Sequence, residues 1–203
     1  MALLMVHLAV AERFAAIHPE YADIPEFYLG VISPDAIHER DGGDKSRKDF
    51  YHLYNWQSPD LKAVADYWRV YRSPFDVGFG VHVLTDAQWV PKFRKIDGLM
   101  QGGRLDREQY YHDTFLTDFE LFEREKFAER MLPMLEKAVP PTDHPLLTAE
   151  EFSGWRDGTV RTYRKPCRES GKQKYIDLDY VDRFFEECMP MIDEAYRKSF
   201  PAE

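Results

Sequence analysis

Only two cysteines, Cys167 and Cys188, occur in 203 residues. So few exclude a disulfide framework and a cysteine-rich zinc module, and they leave His, Asp and Glu as the side chains able to hold a metal. Positive charge is also scarce, with 27 Lys and Arg against 36 Asp and Glu and a formal net charge of −9. That balance excludes a general nucleic-acid binder, because phosphate backbones demand a basic surface. No apolar run approaches the ~20 residues that cross a bilayer. The apolar start, Met1 to Val10, is interrupted by His7 and lacks the basic flank and small-residue cleavage site of a signal peptide. A cytoplasmic protein without a transmembrane segment is expected. Strand signals are missing too: no segment alternates apolar and polar residues between turn dipeptides, and no repeat or low-complexity tract occurs.

What remains is helical periodicity. The length suits a single domain with a substantial core, and the expected fold is all-α, a single-domain multi-helix bundle over 1–203. Residues 2–17 show helical spacing, and the apolar run 27–32 ends at Ser33-Pro34-Asp35, where proline breaks or restarts a helix. The charged, Gly-containing stretch 40–49 reads as a loop. Ser58-Pro59-Asp60 opens a helix to about residue 72, and Ser73-Pro74-Phe75-Asp76 opens the next, with Ser as N-cap and Pro at the first helical position. A break at Gly98–Gly103 precedes a long helical region over 104–138, expected to bend at Pro133. Thr148-Ala149-Glu150-Glu151 is a capping box for a short helix, and a last helix is expected over 178–200.

The chemistry-bearing stretch is Val81-His82-Val83-Leu84-Thr85-Asp86-Ala87-Gln88-Trp89. On a helix, residues four apart share a face, so His82 and Asp86 point together, and Gly78, Phe79 and Trp89 mark that face as inward. Two ionisable groups on an inward face need a partner, either a divalent cation or a hydrogen-bonded core pair. Other apolar segments deliver further ligand types. His7 lies among Leu3, Leu4, Ala11 and Phe14; Asp35 closes the run Tyr28-Leu29-Gly30-Val31-Ile32; His52 sits in Phe50-Tyr51-His52-Leu53-Tyr54. Each taken singly suits a satisfied core group better than a ligand. Their common placement in apolar segments favours a shared cation. His18 and His144, beside prolines in polar loops, read as surface residues, and His38 as lying on the exposed side of the Asp35 turn.

In their order, His7, then Ser33-Pro34-Asp35, then His52, then Gly80-Val81-His82-x-x-Thr85-Asp86 with Trp89 behind, the first ninety or so residues resemble the zinc-dependent phospholipase C family, and more closely its small bacterial members. The resemblance implies an all-helical fold of the phospholipase C and P1 nuclease type and one to three Zn²⁺ ions. It implies that Asp35, His52, His82 and Asp86 hold one metal and that His7 holds a second, with Asp86 bridging. It implies hydrolysis of a phosphate ester or phosphodiester in a small phosphorylated or phospholipid-like substrate, and gives Asp35 a second role as general base. The family's later His-x-x-x-Glu is missing. The nearest replacements are Glu108, His112, Asp113 and Asp118, of which His112 and Asp118 are expected to ligate. The family also ligates through its mature N-terminal amino group, a contact not expected of a chain that opens Met1-Ala2 well before His7.

Two other classes fit parts of the pattern. An HD-type metal phosphohydrolase needs an adjacent His-Asp pair, found at His112-Asp113, with His82 upstream and Asp177, Asp179 or Asp182 downstream. It leaves Asp35, His52 and Asp86 without a role. A non-catalytic helical protein with a structural metal site differs only in having no open coordination position. Separately, the basic island Arg156, Arg161, Arg164, Lys165, Arg168, Lys172 and Lys174 suits an anionic ligand, or a solvated loop balancing acidic neighbours, the commoner role of exposed charge runs.

Overall fold

The computed structural model describes residues 3–40, 48–53, 61–167 and 170–201. Among them the chain is mostly helical, in keeping with the expected all-α class, and no helix there is long and apolar enough to cross a membrane. The helices are α1 (Leu4–Ile17), α2 (Pro25–Ile32), α3 (Lys48–Tyr51), α4 (Leu61–Val70), α5 (Pro74–Phe93), α6 (Arg107–Arg124), α7 (Phe127–Lys137), α8 (Ala149–Tyr163) and α9 (Leu178–Ser199). A 3₁₀ segment, Ser33–Glu39, follows α2 directly. The one sheet among the described residues is a hairpin of β1 (Met100–Gln101) and β2 (Arg104–Leu105), closed by Gly102 and Gly103 at φ of +56° and +79°. Its two-residue strands are too short for alternation to register, which is why the sequence shows only a break there.

α5 is the centre of the molecule. It is buried almost continuously from Phe75 to Ala87, as a helix apolar on all sides must be. Its start follows the local signals: Ser73 Oγ accepts from the Asp76 N–H, and Asp76 accepts in turn from the Ser73 N–H at 3.0 Å. α2 lies across it in the most extensive helix–helix contact of the fold. Two glycines permit that approach. A Cβ on Gly30 would stand 2.0 Å from the Phe75 carbonyl oxygen, and one on Gly78 2.1 Å from that of Phe27. α1, α4, α9 and the 3₁₀ segment also pack on α5, and one continuous apolar core joins them.

Three expectations are corrected. The region 104–138 is two helices broken at Glu125-Lys126, where Lys126 takes a φ of +53°, and Pro133 lies inside α7. The Thr148 capping box forms as read, but the helix it starts runs fifteen residues to Tyr163. The basic island is therefore helix as far as Tyr163. Two of its cations are engaged within the fold, Arg164 with Glu136 and Arg156 with Asp157 and the Ala138 carbonyl. Ser58-Pro59-Asp60 and most of the 40–49 loop lie outside the described residues.

Candidate metal centre

His82 is the most constrained residue of the site. Its Nδ1 lies 2.6 Å from the Val31 carbonyl oxygen, which can only accept, so Nδ1 carries the proton and Nε2 the lone pair. Val31 belongs to the last turn of α2, whose carbonyls have no partner within the helix. The close crossing at Gly30 and Gly78 sets that carbonyl against the ring. Burial, reinforced by the adjoining His7 ring, holds His82 well below the ordinary histidine value and so keeps it neutral. A neutral imidazole whose other nitrogen donates to a carbonyl is the state in which histidine ligates a cation.

His7 comes from α1 and stacks on His82, with ring centroids 3.7 Å apart and planes 6° from parallel. One turn along α5, Asp86 presents its two oxygens to the two rings. Oδ1 is 3.5 Å from His7 Nε2, and Oδ2 is 3.8 Å from His82 Nε2. Asp35 arrives on the 3₁₀ segment and His52 just after α3, with His52 Nε2 3.3 Å from Asp35 Oδ1. The next residue, Leu53, takes a left-handed φ of +49°, a strained conformation for leucine. The outcome is two overlapping donor sets, His7/His82/Asp86 and Asp35/His52/His82. All five residues are buried, and the donor atoms of each set lie within 4.8 Å of one another.

The arrangement fits a cation. Two donors about 2.0–2.2 Å from one ion stand about 3.0 Å apart at an octahedral angle and about 3.4 Å apart at a tetrahedral one. The separations of 3.3, 3.5 and 3.8 Å run from that spacing to slightly beyond it. Both ring nitrogens of His7 and Nε2 of His82 are buried without a hydrogen-bond partner. Such atoms cost about 1–3 kcal/mol each when left unsatisfied, and a cation satisfies the lone pairs that the fold does not.

The other two residues expected to ligate stand elsewhere. Asp118 accepts from the Met5 N–H at 2.9 Å and from the Tyr163 hydroxyl, so it secures the first turn of α1 and through it His7. Burial pushes its carboxyl up to about 7 against those hydrogen bonds. His112 is half-buried beside Asp113 and joins neither donor set. Glu108 is exposed. Asp113 accepts from Gln109 Nε2 and from the N–H groups of Lys174, Tyr175 and Ile176. Burial pushes its carboxyl up, yet these donors more than offset that and hold it below the usual carboxylate range. Asp113 thus anchors a loop, which weighs against the HD-type arrangement. Asp177 caps α9, and Asp182 pairs with Arg124.

Three histidines lie deeper than expected. His38 Nε2 is 3.8 Å from Asp35 Oδ1. In a 3₁₀ segment residues i and i+3 eclipse, so His38 returns to the side of Asp35, whereas an α-turn would have displaced it. The signal was present in Ser33-Pro34, which tightens the chain. His18 is buried with Nε2 2.7 Å from Asp193 Oδ1, and His144 is half-buried among Tyr67, Phe75, Phe79 and Phe152. No protein-family model, curated protein or solved structure matches the chain.

Proposed function

We propose that the chain is a metal-dependent hydrolase of phosphate esters or phosphodiesters, with zinc as the metal and a fold of the phospholipase C and P1 nuclease type. The observation that carries this reading is the pair of buried donor sets sharing His82, with unused ring nitrogens on His7 and His82. Five His and Asp ligands without cysteine suit zinc in a hydrolytic rather than a thiolate-bound structural site. Asp35, His52 and His82 would hold one cation. Asp86, with Oδ1 3.5 Å from His7 Nε2 and Oδ2 3.8 Å from His82 Nε2, would hold a second together with His7.

Bound zinc lowers the pKa of water towards neutrality and polarises a phosphoryl oxygen. The chain's own groups do the rest. Val31 fixes the His82 tautomer, and the Asp118 cap fixes α1 and the height of His7. Asp35, through the oxygen not engaged with the metal, would take the proton of the attacking water, and His38, 3.8 Å from its Oδ1, helps to position it. The substrate would be a small phosphorylated or phospholipid-like molecule, the net charge of −9 disfavouring a polyanionic nucleic acid.

The zinc-loaded protein is expected to hydrolyse a chromogenic phosphodiester such as bis(p-nitrophenyl) phosphate, to stop on chelation and to recover on zinc addition. A zinc-loaded protein inert towards both phosphodiesters and phosphomonoesters would contradict the hydrolase reading and leave a structural metal site.

A further inference from the structure

α8 carries polar groups for which the centre above provides no use. Trp155, Thr159 and Tyr163 recur every four residues along it. Four residues are about one turn and about 6 Å of rise, so the three side chains form a column on one face. Each end of the column touches a residue next to the metal centre rather than a ligand. At one end the Trp155 ring packs on His38, 5.5 Å between centroids, and His38 stands beside Asp35. At the other end the Tyr163 hydroxyl donates to Asp118, the residue that secures the turn of α1 carrying His7. Thr159 stands between them.

Two members of the column have a buried donor with nothing to donate to. Trp155 Nε1 and Thr159 Oγ1 are both buried without a hydrogen-bond partner, and Thr159 as a whole is 3 % exposed. A helical hydroxyl always has the carbonyl four residues back within reach. On this same helix Ser153 and Thr162 use it, bonding to Ala149 and Gly158. Thr159 does not. The indole N–H can only donate, and a hydroxyl can donate freely, so the pair suits a ligand rich in acceptor oxygens. Being neutral, the two donors would orient such a ligand without adding charge to a centre whose cations would already supply it.

We propose that Trp155 Nε1 and Thr159 Oγ1 form an oxyanion subsite of the metal centre, binding non-bridging oxygens of a phosphoryl group. This rests on the metal-centre reading above. The test is calorimetric titration of inorganic phosphate into the zinc-loaded wild type, Thr159→Val, Thr159→Ser and Trp155→Phe, with zinc content measured in each. All four are expected to retain zinc. Phosphate affinity is expected to fall roughly tenfold in Thr159→Val and in Trp155→Phe and to be kept in Thr159→Ser. Thr159→Val removes an unsatisfied hydroxyl, so its melting temperature is expected to hold or rise, which separates lost binding from lost folding. Unchanged phosphate affinity in both Thr159→Val and Trp155→Phe, or a zinc-loaded wild type that binds no phosphate, would overturn the subsite and leave the metal centre standing. A wild type that holds no zinc would overturn both.

Discussion

His144 shows at the scale of one residue how burial and a fixed tautomer combine. The Leu146 N–H donates to its Nδ1, so Nε2 carries the proton and donates to the Tyr67 hydroxyl, which donates in turn to Asp76. Protonating Nδ1 would break the first of these bonds. Burial lowers this histidine from 6.5 to about 4, Asp76 opposing the shift. The folded state therefore prefers the neutral ring, while the unfolded chain takes up a proton below about 6.5. The contribution is fully present above that pH and is lost as pH falls towards 4. In urea titrations, the stability advantage of wild type over His144→Gln is expected to shrink between pH 7 and pH 4; a constant advantage would contradict this account. The sequence placed His144 at the surface because it stands beside Pro145 in a polar stretch. Its partners come from Tyr67, Phe75, Phe79 and Phe152, and contacts so distant leave no local trace. His82 and Asp86 were legible for the opposite reason: four residues on one helix settle their common face whatever the tertiary structure.

Among elements, the α2–α5 crossing decides whether the centre exists. Gly30 and Gly78 bring the two backbones together, and the Val31 carbonyl reaches His82 only because they do. Gly78→Ala would set a methyl group against the Phe27 carbonyl oxygen, a backbone atom that cannot step aside alone. We expect a loss of about 1–3 kcal/mol in urea unfolding, together with weakened zinc retention as Val31 withdraws. Full stability and full zinc content in this variant would show that the crossing does not set the site. The start of α5 was legible in Ser73-Pro74-Phe75-Asp76, since caps are local chemistry. The break at Lys126 was not, because a lysine at positive φ lacks the Gly or Asn that usually announces one. Pro133 drew attention instead, although the helix continues through it.

For the molecule as a whole, α1, α5, the 3₁₀ segment and the end of α3 each bring one or two donors to a common buried point, from positions as far apart in sequence as His7 and Asp86. An all-α class could be read from periodicity, and the five converging residues were named by the family resemblance that their order along the chain carries. The separation of Asp118 and His112 from that point could not, because α6 presents them on faces set by its packing against α1 and the 174–176 loop. The net charge of −9 bears on what approaches the site rather than on the site itself. The central claim is that these buried groups are ligands and not a core hydrogen-bond network. It is tested most directly by metal content. Protein purified without a His-tag or chelator is analysed by plasma mass spectrometry beside a His82→Ala/Asp86→Ala double variant whose fold is checked by circular dichroism. The account predicts one or more equivalents of zinc in the wild type and loss of that zinc in the folded variant. A folded wild type that carries no metal, and takes up none on zinc addition, would contradict it.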